Sequence, residues 1–299
     1  MLKRRAAVEV FDRARRPGER GDSLTRQLLL AVRFAGSCLR HRHLALYLAL
    51  SGGKGQIFDA LYLLAGKLCR RRVFVHHHSF AYIDSPTPIS EALFYLARGQ
   101  THIVLSRGMG TALAHRYGLA EGQVMVLSNA AFFAQMPENS GVAPDADTDA
   151  ATPLRIGFLS NITFDKGFVE FFDVLTQLRS LNVKYRAHVA GPVAPEAREV
   201  FERLRASAAD VEYLGAIYGA AKDRFYQQLD ILMFPTKYAN EADPLVIHEA
   251  LRCGVYVIAC KRGAIADTLE NGAGLVVAQE SFVSYAAASI RTLSRDRAK

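Results

Sequence analysis

The chain of 299 residues contains no run of about eighteen apolar residues, the length a helix needs to cross a bilayer, so no membrane span is expected. Its opening, MLKRRAAVEVFDRARRPGERGD, is charged and lacks the apolar stretch of a secretory signal, so none is expected there. Cysteine is sparse. Cys38, Cys69, Cys253 and Cys260 show no paired spacing, which points to a reducing, cytoplasmic compartment. The glycine-rich stretch SGGKG (51–55) lacks the spacing of a phosphate loop and the Ser or Thr after its lysine, and reads as a turn. No aromatic residues interleave with the basic ones in the manner of a nucleic-acid surface, and no nucleic-acid partner is expected.

Half of the residues are hydrophobic, enough for substantial cores and one or two domains. The formal net charge is +8, and residues 1–43 supply +7 of it through eleven Lys and Arg against four carboxylates. A basic arm of this kind either contacts anionic headgroups at the inner face of a membrane or stays a solvated tail, and both readings stand.

Along the chain, apolar runs of strand length alternate with helical patterns. Leu28–Leu39 reads as a helix interrupted by Arg33. Strands are expected at 43–51, 72–78, 101–106 and 123–128, with helices at 56–70, 90–98 (capped by Ser90) and 107–117 between them. Residues 137–153 (PENSGVAPDADTDAATP) have no apolar period and read as a linker. The Asp145-Ala146-Asp147 pattern inside it does not follow a strand and is read as chance, not as a metal site. From Leu154 the alternation is cleaner, with expected strands at 154–160, 185–191, 211–215, 231–234, 255–259 and 275–278. Strands alternating with helices imply parallel βαβ units, with ligands at the carboxyl ends of the strands.

The stretch around which the second half is organised is FPTKYANEADPLVIHEALRCG (234–254). Pro235 ends the apolar run 231–234, because it has no N–H for a sheet ladder. Asp243 followed by Pro244 reads as a helix start, with an acceptor at the cap and proline at the first helical position. Gly254 reads as its end. A helix N-terminus is a ready site for phosphate. Glu241 and Glu249 are acceptors and suit hydroxyl groups. Glu249 lies among Val246, Ile247, Ala250 and Leu251, where a charge requires a partner. Together these features describe a pocket for a nucleotide sugar.

The two glutamates with seven residues between them, the wording EADPLVIHEAL, the following glycine, the apolar run 255–259 and the loop at Gly263 resemble the group 1 (family 4) retaining glycosyltransferases. The resemblance covers roughly residues 44–295 and is strongest over 154–278. It implies an α/β chain of GT-B fold, two Rossmann-like doubly wound domains facing a cleft. The expected divisions are a basic segment (1–42), an N-terminal acceptor domain (43–136), the linker, and a C-terminal nucleotide-sugar-binding domain (154–299). The family's opening strand and glycine-rich loop have no counterpart in residues 1–42, so the N-terminal domain is expected to be shortened.

The resemblance also implies roles. In NITFDKG (161–167), Lys166 matches the family's diphosphate-binding lysine. Asn161 stands where the family has arginine, which removes one charge from the leaving-group site. Glu249 would hold the ribose, and Glu241 with the backbone of Asp243, Pro244 and Leu245 would hold the donor sugar. Gly215 and Ile217 would lie near the base. His78, at the end of His76-His77-His78, matches best the family's strand-end histidine that contacts the donor sugar, and a purely structural role is the alternative. Ser106 and Asn129 are further strand-end candidates. The expected reaction is retaining transfer, without metal or other cofactor, from a nucleotide diphosphate-sugar to a saccharide or lipid-linked acceptor. A non-catalytic relative that binds a nucleotide sugar or a partner protein is the second reading.

Overall fold

The computed structural model describes residues 8–12, 24–41, 43–120, 122–133, 152–270 and 272–296. Most of the expected linker, including Asp145–Asp147, lies outside them, as does much of the basic segment. The chain forms two compact units, residues 1–104 with 110–125 and residues 105–109 with 126–299.

The first unit runs α1 (Leu24–Arg40), β1 (Leu46–Ala49), α2 (Gln56–Leu68), β2 (Val73–His76), α3 (Ala81–Asp84), α4 (Pro88–Ala97), β3 (Thr101–Val104), most of α5 (Arg107–Tyr117) and most of β4 (Val124–Val126). Its strands lie in the order β1-β2-β3-β4, and β2 pairs in parallel with both β1 and β3. The helix expected to be capped by Ser90 starts earlier. Thr87 is its cap and accepts the Ser90 N–H at 3.2 Å, because Pro88 at the first position sets the helical φ two residues sooner. The Ser90 hydroxyl instead donates to Gln56 Oε1 (2.8 Å), joining α4 to α2. SGGKG forms a single 3-10 turn over Gly53–Gly55.

The second unit runs β5 (Leu154–Leu159), α6 (Phe168–Ser180), β6 (Tyr185–Ala190), α7 (Arg198–Ala206), β7 (Val211–Tyr213), α8 (Ala220–Gln227), β8 (Ile231–Phe234), α9 (Leu245–Arg252), β9 (Tyr256–Cys260), α10 (Ile265–Thr268), β10 (Gly274–Val277) and α11 (Phe282–Asp296). The strands lie in the order β10-β9-β8-β5-β6-β7, all parallel. Both faces are covered, so buried strands are apolar throughout. In β8, Ile231 and Met233 enter the core shared with Phe158, Phe168, Phe171 and Phe201. Leu232 and Phe234 enter the core on the other face, with Phe225, Tyr226 and Ile247.

This strand order reverses direction between β5 and β8, and such a switch point opens a crevice at the carboxyl ends of the two strands. The Arg155 guanidinium and amide clasp the buried Asp230 carboxylate at distances from 2.7 to 3.2 Å. That clasp pins the amino ends of β5 and β8 and fixes the register on which the opposite ends depend.

Candidate functional site in the second unit

Two loops leave the sheet at the switch point. The first, residues 160–167, follows β5 and carries Lys166. Gly167 ends it at φ +79°, and a Cβ there would stand 2.1 Å from the Pro235 carbonyl oxygen. Only glycine lets this turn lie against the start of the second loop. The second loop, residues 235–244, follows β8 and carries Glu241. Its backbone is held from β9's side by Gly263, whose Cβ would stand 2.4 Å from the Ala242 carbonyl oxygen, and by the Ala264 N–H donated to that oxygen at 2.6 Å.

The side chains meet across the switch point. Lys166 Nζ lies 2.6 Å from Glu241 Oε2, and the Thr236 hydroxyl donates to the same oxygen at 3.0 Å. Lys166 Nζ also stands over the Tyr238 ring at 4.6 Å, a favourable position for an ammonium. Both charged ends are mostly shielded from water, at 18% and 11% exposure. The arrangement is a half-buried ammonium that carries a carboxylate and aromatic neighbours, beside the start of α9.

Glu249, one turn from the C-terminal end of α9, has the partners its apolar surroundings demand. Lys222 Nζ, from α8, lies 2.6 Å from Oε1, and the Tyr226 hydroxyl donates to Oε2 at 2.8 Å. Burial, with the adjacent Glu249 carboxylate, pushes the Tyr226 phenol far up, so it remains a donor. Each carboxylate oxygen keeps an unused lone pair, which leaves Glu249 able to accept two further hydroxyls.

Asp243 does not cap α9. The cap position is Pro244, with no side-chain cap, and the helix begins at Leu245. The Asp243 side chain is taken elsewhere. Oδ2 accepts the Asn129 N–H (2.8 Å) and the Ser128 hydroxyl (3.0 Å), and Oδ1 pairs with His248 Nε2 at 2.5 Å. Asn129 Nδ2 also donates to the Asp243 carbonyl at 2.6 Å. Burial raises the carboxyl's proton affinity, but the His248 hydrogen bond and charge, followed by the Asn129 amide and Ser128, outweigh it and hold Asp243 below the usual carboxylate value. The network locks the segment in front of α9, so the helix N-terminus points from a fixed place.

The remaining residues divide as follows. Asn161 is exposed in the loop after β5. Gly215, after β7, has φ +69° and accepts the Gly191 N–H through its carbonyl at 2.8 Å. Ile217 is half-buried against the α8–α9 core, and Leu245 is 44% exposed at the start of α9. Ser106 accepts the Met109 N–H at 3.0 Å and serves as a helix-start acceptor for α5. Lys222, Tyr226 and His248 were not singled out by sequence, and Thr236 only as one of the positions at strand ends. Only the charge of Glu249 in an apolar helix signalled that partners such as Lys222 and Tyr226 must exist.

His78 lies in the first unit, exposed at the end of β2, with its ring 4.0 Å from that of His76. His76 pairs with the Tyr47 hydroxyl. His77 is fully buried between Tyr82 (3.1 Å) and His102 (3.0 Å). Burial holds His76 and His102 down at about 4, so both stay neutral at pH 7. Among the described residues no group of three or more His, Cys, Asp or Glu is placed to hold a metal ion.

Residues 153–296 match the family model described as glycosyl transferases group 1. No curated protein matches the chain by sequence. Among solved structures, the HepE protein of Anabaena, described in complex with UDP and glucose, is similar with a TM-score of 0.63 at 17% identity, over 92% of this chain and 74% of that one. WaaB, described as a lipopolysaccharide outer core galactosyltransferase, is similar with a TM-score of 0.66 at 15% identity, over 93% of this chain and 74% of that one. The sucrose-phosphate synthase of Thermosynechococcus elongatus is similar with a TM-score of 0.62 at 16% identity, over 93% and 72%. With its six-stranded parallel sheet, its switch point and its likeness to these structures, the chain has the GT-B fold, and its residues 153–296 match the group 1 glycosyl transferases.

Proposed function

We propose that the chain is a retaining glycosyltransferase that moves a sugar from a nucleotide diphosphate donor to a saccharide or lipid-linked acceptor, in cell-surface polysaccharide or glycan synthesis. The observation that carries the reading is the pairing of Lys166 with Glu241 across the switch point, beside the start of α9. In this reading the diphosphate takes the Lys166 ammonium and the first N–H groups of α9, which have no acceptors within the helix. Glu249 accepts the ribose hydroxyls, and Glu241, with the Asp243–Leu245 backbone, accepts hydroxyls of the sugar. Gly215 and Ile217 border the base. Negative charge grows on the diphosphate as the glycosidic bond breaks, and fixed positive groups there lower the barrier. This reading requires no metal, because Lys166 and the helix N-terminus supply the positive charge. HepE is described with UDP-glucose, which supports a donor of this class. A cytoplasmic location with a peripheral membrane contact fits a lipid-linked acceptor, and among the described residues no helix is long and apolar enough to cross a membrane.

Glu241→Ala and Glu249→Ala are each expected to reduce transfer by about a hundredfold or more while leaving the circular dichroism of the protein unchanged. Unchanged transfer in both variants would refute the site. A second reading, a non-catalytic relative that binds the donor, is favoured by Asn161, which leaves Lys166 as the cation on that loop. Donor binding without transfer or hydrolysis by the wild-type protein would select it.

A further inference from the structure

We infer that the outer side of α2, together with exposed residues of α1, is a docking surface for an anionic lipid bilayer. The inference rests on the proposed peripheral contact and assigns it to residues of the first unit. Helix α2 exposes Ile57, Leu61, Leu64 and Leu68, each between 41% and 75% accessible. Their spacing of four, three and four residues puts them on one side of the helix, in a stripe about 17 Å long. The opposite side of α2 is satisfied within the unit. Tyr62 packs its ring on Phe34 of α1, Leu63 and Gly66 are buried, and Gln56 is bonded to Ser90 of α4. The stripe is therefore surplus to the core. Helix α1 adds Leu28, Leu29, Val32 and Leu39, all about half exposed or more.

Charge decides the occupant. Helix α1 contains no acidic residue. The sole acid of α2, Asp59, is fully buried and accepts the Ser51 N–H at 2.8 Å. The nearby Glu9 carboxylate is bonded to the Ser37 hydroxyl. Exposed cations bracket the stripe, with Lys54 before it, Arg70 and Arg72 after it, and Arg33 and Arg40 on α1. Leucine side chains flanked by cations and free of exposed carboxylates on their own helices match a bilayer surface with anionic headgroups, where apolar burial and headgroup attraction add.

The test uses the full chain in sedimentation with two vesicle types, pure phosphatidylcholine and phosphatidylcholine containing roughly one quarter phosphatidylglycerol. The wild type is expected to sediment with the anionic vesicles and to be released by added salt. Leu61→Glu with Leu68→Glu is expected to weaken that binding by about tenfold or more, and Lys54→Glu with Arg70→Glu to weaken it while leaving the stripe intact. Both pairs are exposed, so thermal unfolding and nucleotide binding are expected to be unchanged, which separates failure of this surface from failure of the donor site. Equal vesicle binding by the leucine variant would overturn the inference. So would lipid-independent dimerisation abolished by that variant, which would make the stripe an interface with a second copy.

Discussion

Lys166→Ala tests the switch-point pair through stability as well as activity. In the folded protein the ammonium and the Glu241 carboxylate are 2.6 Å apart with 18% and 11% exposure. A fully exposed pair contributes up to about 1 kcal/mol, and stranding one partner of a fully buried pair costs about 3–5 kcal/mol. This pair lies between those limits, and Glu241 keeps the Thr236 hydroxyl at 3.0 Å when the lysine is gone. The expected cost is therefore about 2 kcal/mol. Removing Glu241 as well takes away the stranded charge, so the double variant is expected to be about 1 kcal/mol more stable than the sum of the single losses. Urea unfolding of the four proteins, with the slope checked to be constant, measures this coupling. Additivity within about 0.3 kcal/mol would refute the pair as an energetic unit. In the transfer assay, loss of Lys166 is expected to lower the turnover number by about 10²–10³-fold, the usual effect of removing one preorganised group from a developing charge.

Gly167→Ala is expected to cost about 2–3 kcal/mol and to lower transfer more than about tenfold, since the left-handed turn and the Pro235 carbonyl leave no room and Lys166 must move. Thermal unfolding and transfer rates of the same sample check it. The buried histidines give the first unit a pH dependence. The folded proton affinity of His76 and His102 is depressed by burial to about 4 from the ordinary 6.5, so the unfolded chain binds more protons between these values. The contribution is complete above pH 6.5 and is lost as the pH falls towards 4, and urea midpoints across that range should fall. Replacing His102 with Asn is expected to flatten the slope.

The second sheet was legible because its central strands are short, mostly apolar runs with clear ends, as Ile231–Phe234 is closed by Pro235. The resemblance gave Lys166 and Glu241 separate roles in one site and did not pair them. Their contact comes from the meeting of two loops whose residues lie 75 positions apart. The partners of Glu249 were demanded but not identifiable, since Lys222 and Tyr226 reach it from another helix, 27 and 23 residues earlier. Asp243 was misread as a helix cap for the same reason. Locally Asp-Pro is a strong helix start, but Ser128 and Asn129, more than a hundred residues earlier, together with His248 claim its oxygens. Ser90 was misread because Thr87 and Pro88, three and two residues before it, form the stronger start.

The most direct measurement is a calorimetric titration of the purified protein with UDP, GDP and ADP, repeated on Glu249→Ala. One nucleotide is expected to bind the wild type, and the variant is expected to lose this binding because Glu249 holds the ribose. Binding that survives unchanged in the variant, or no binding of any of the three to the wild type, would contradict this.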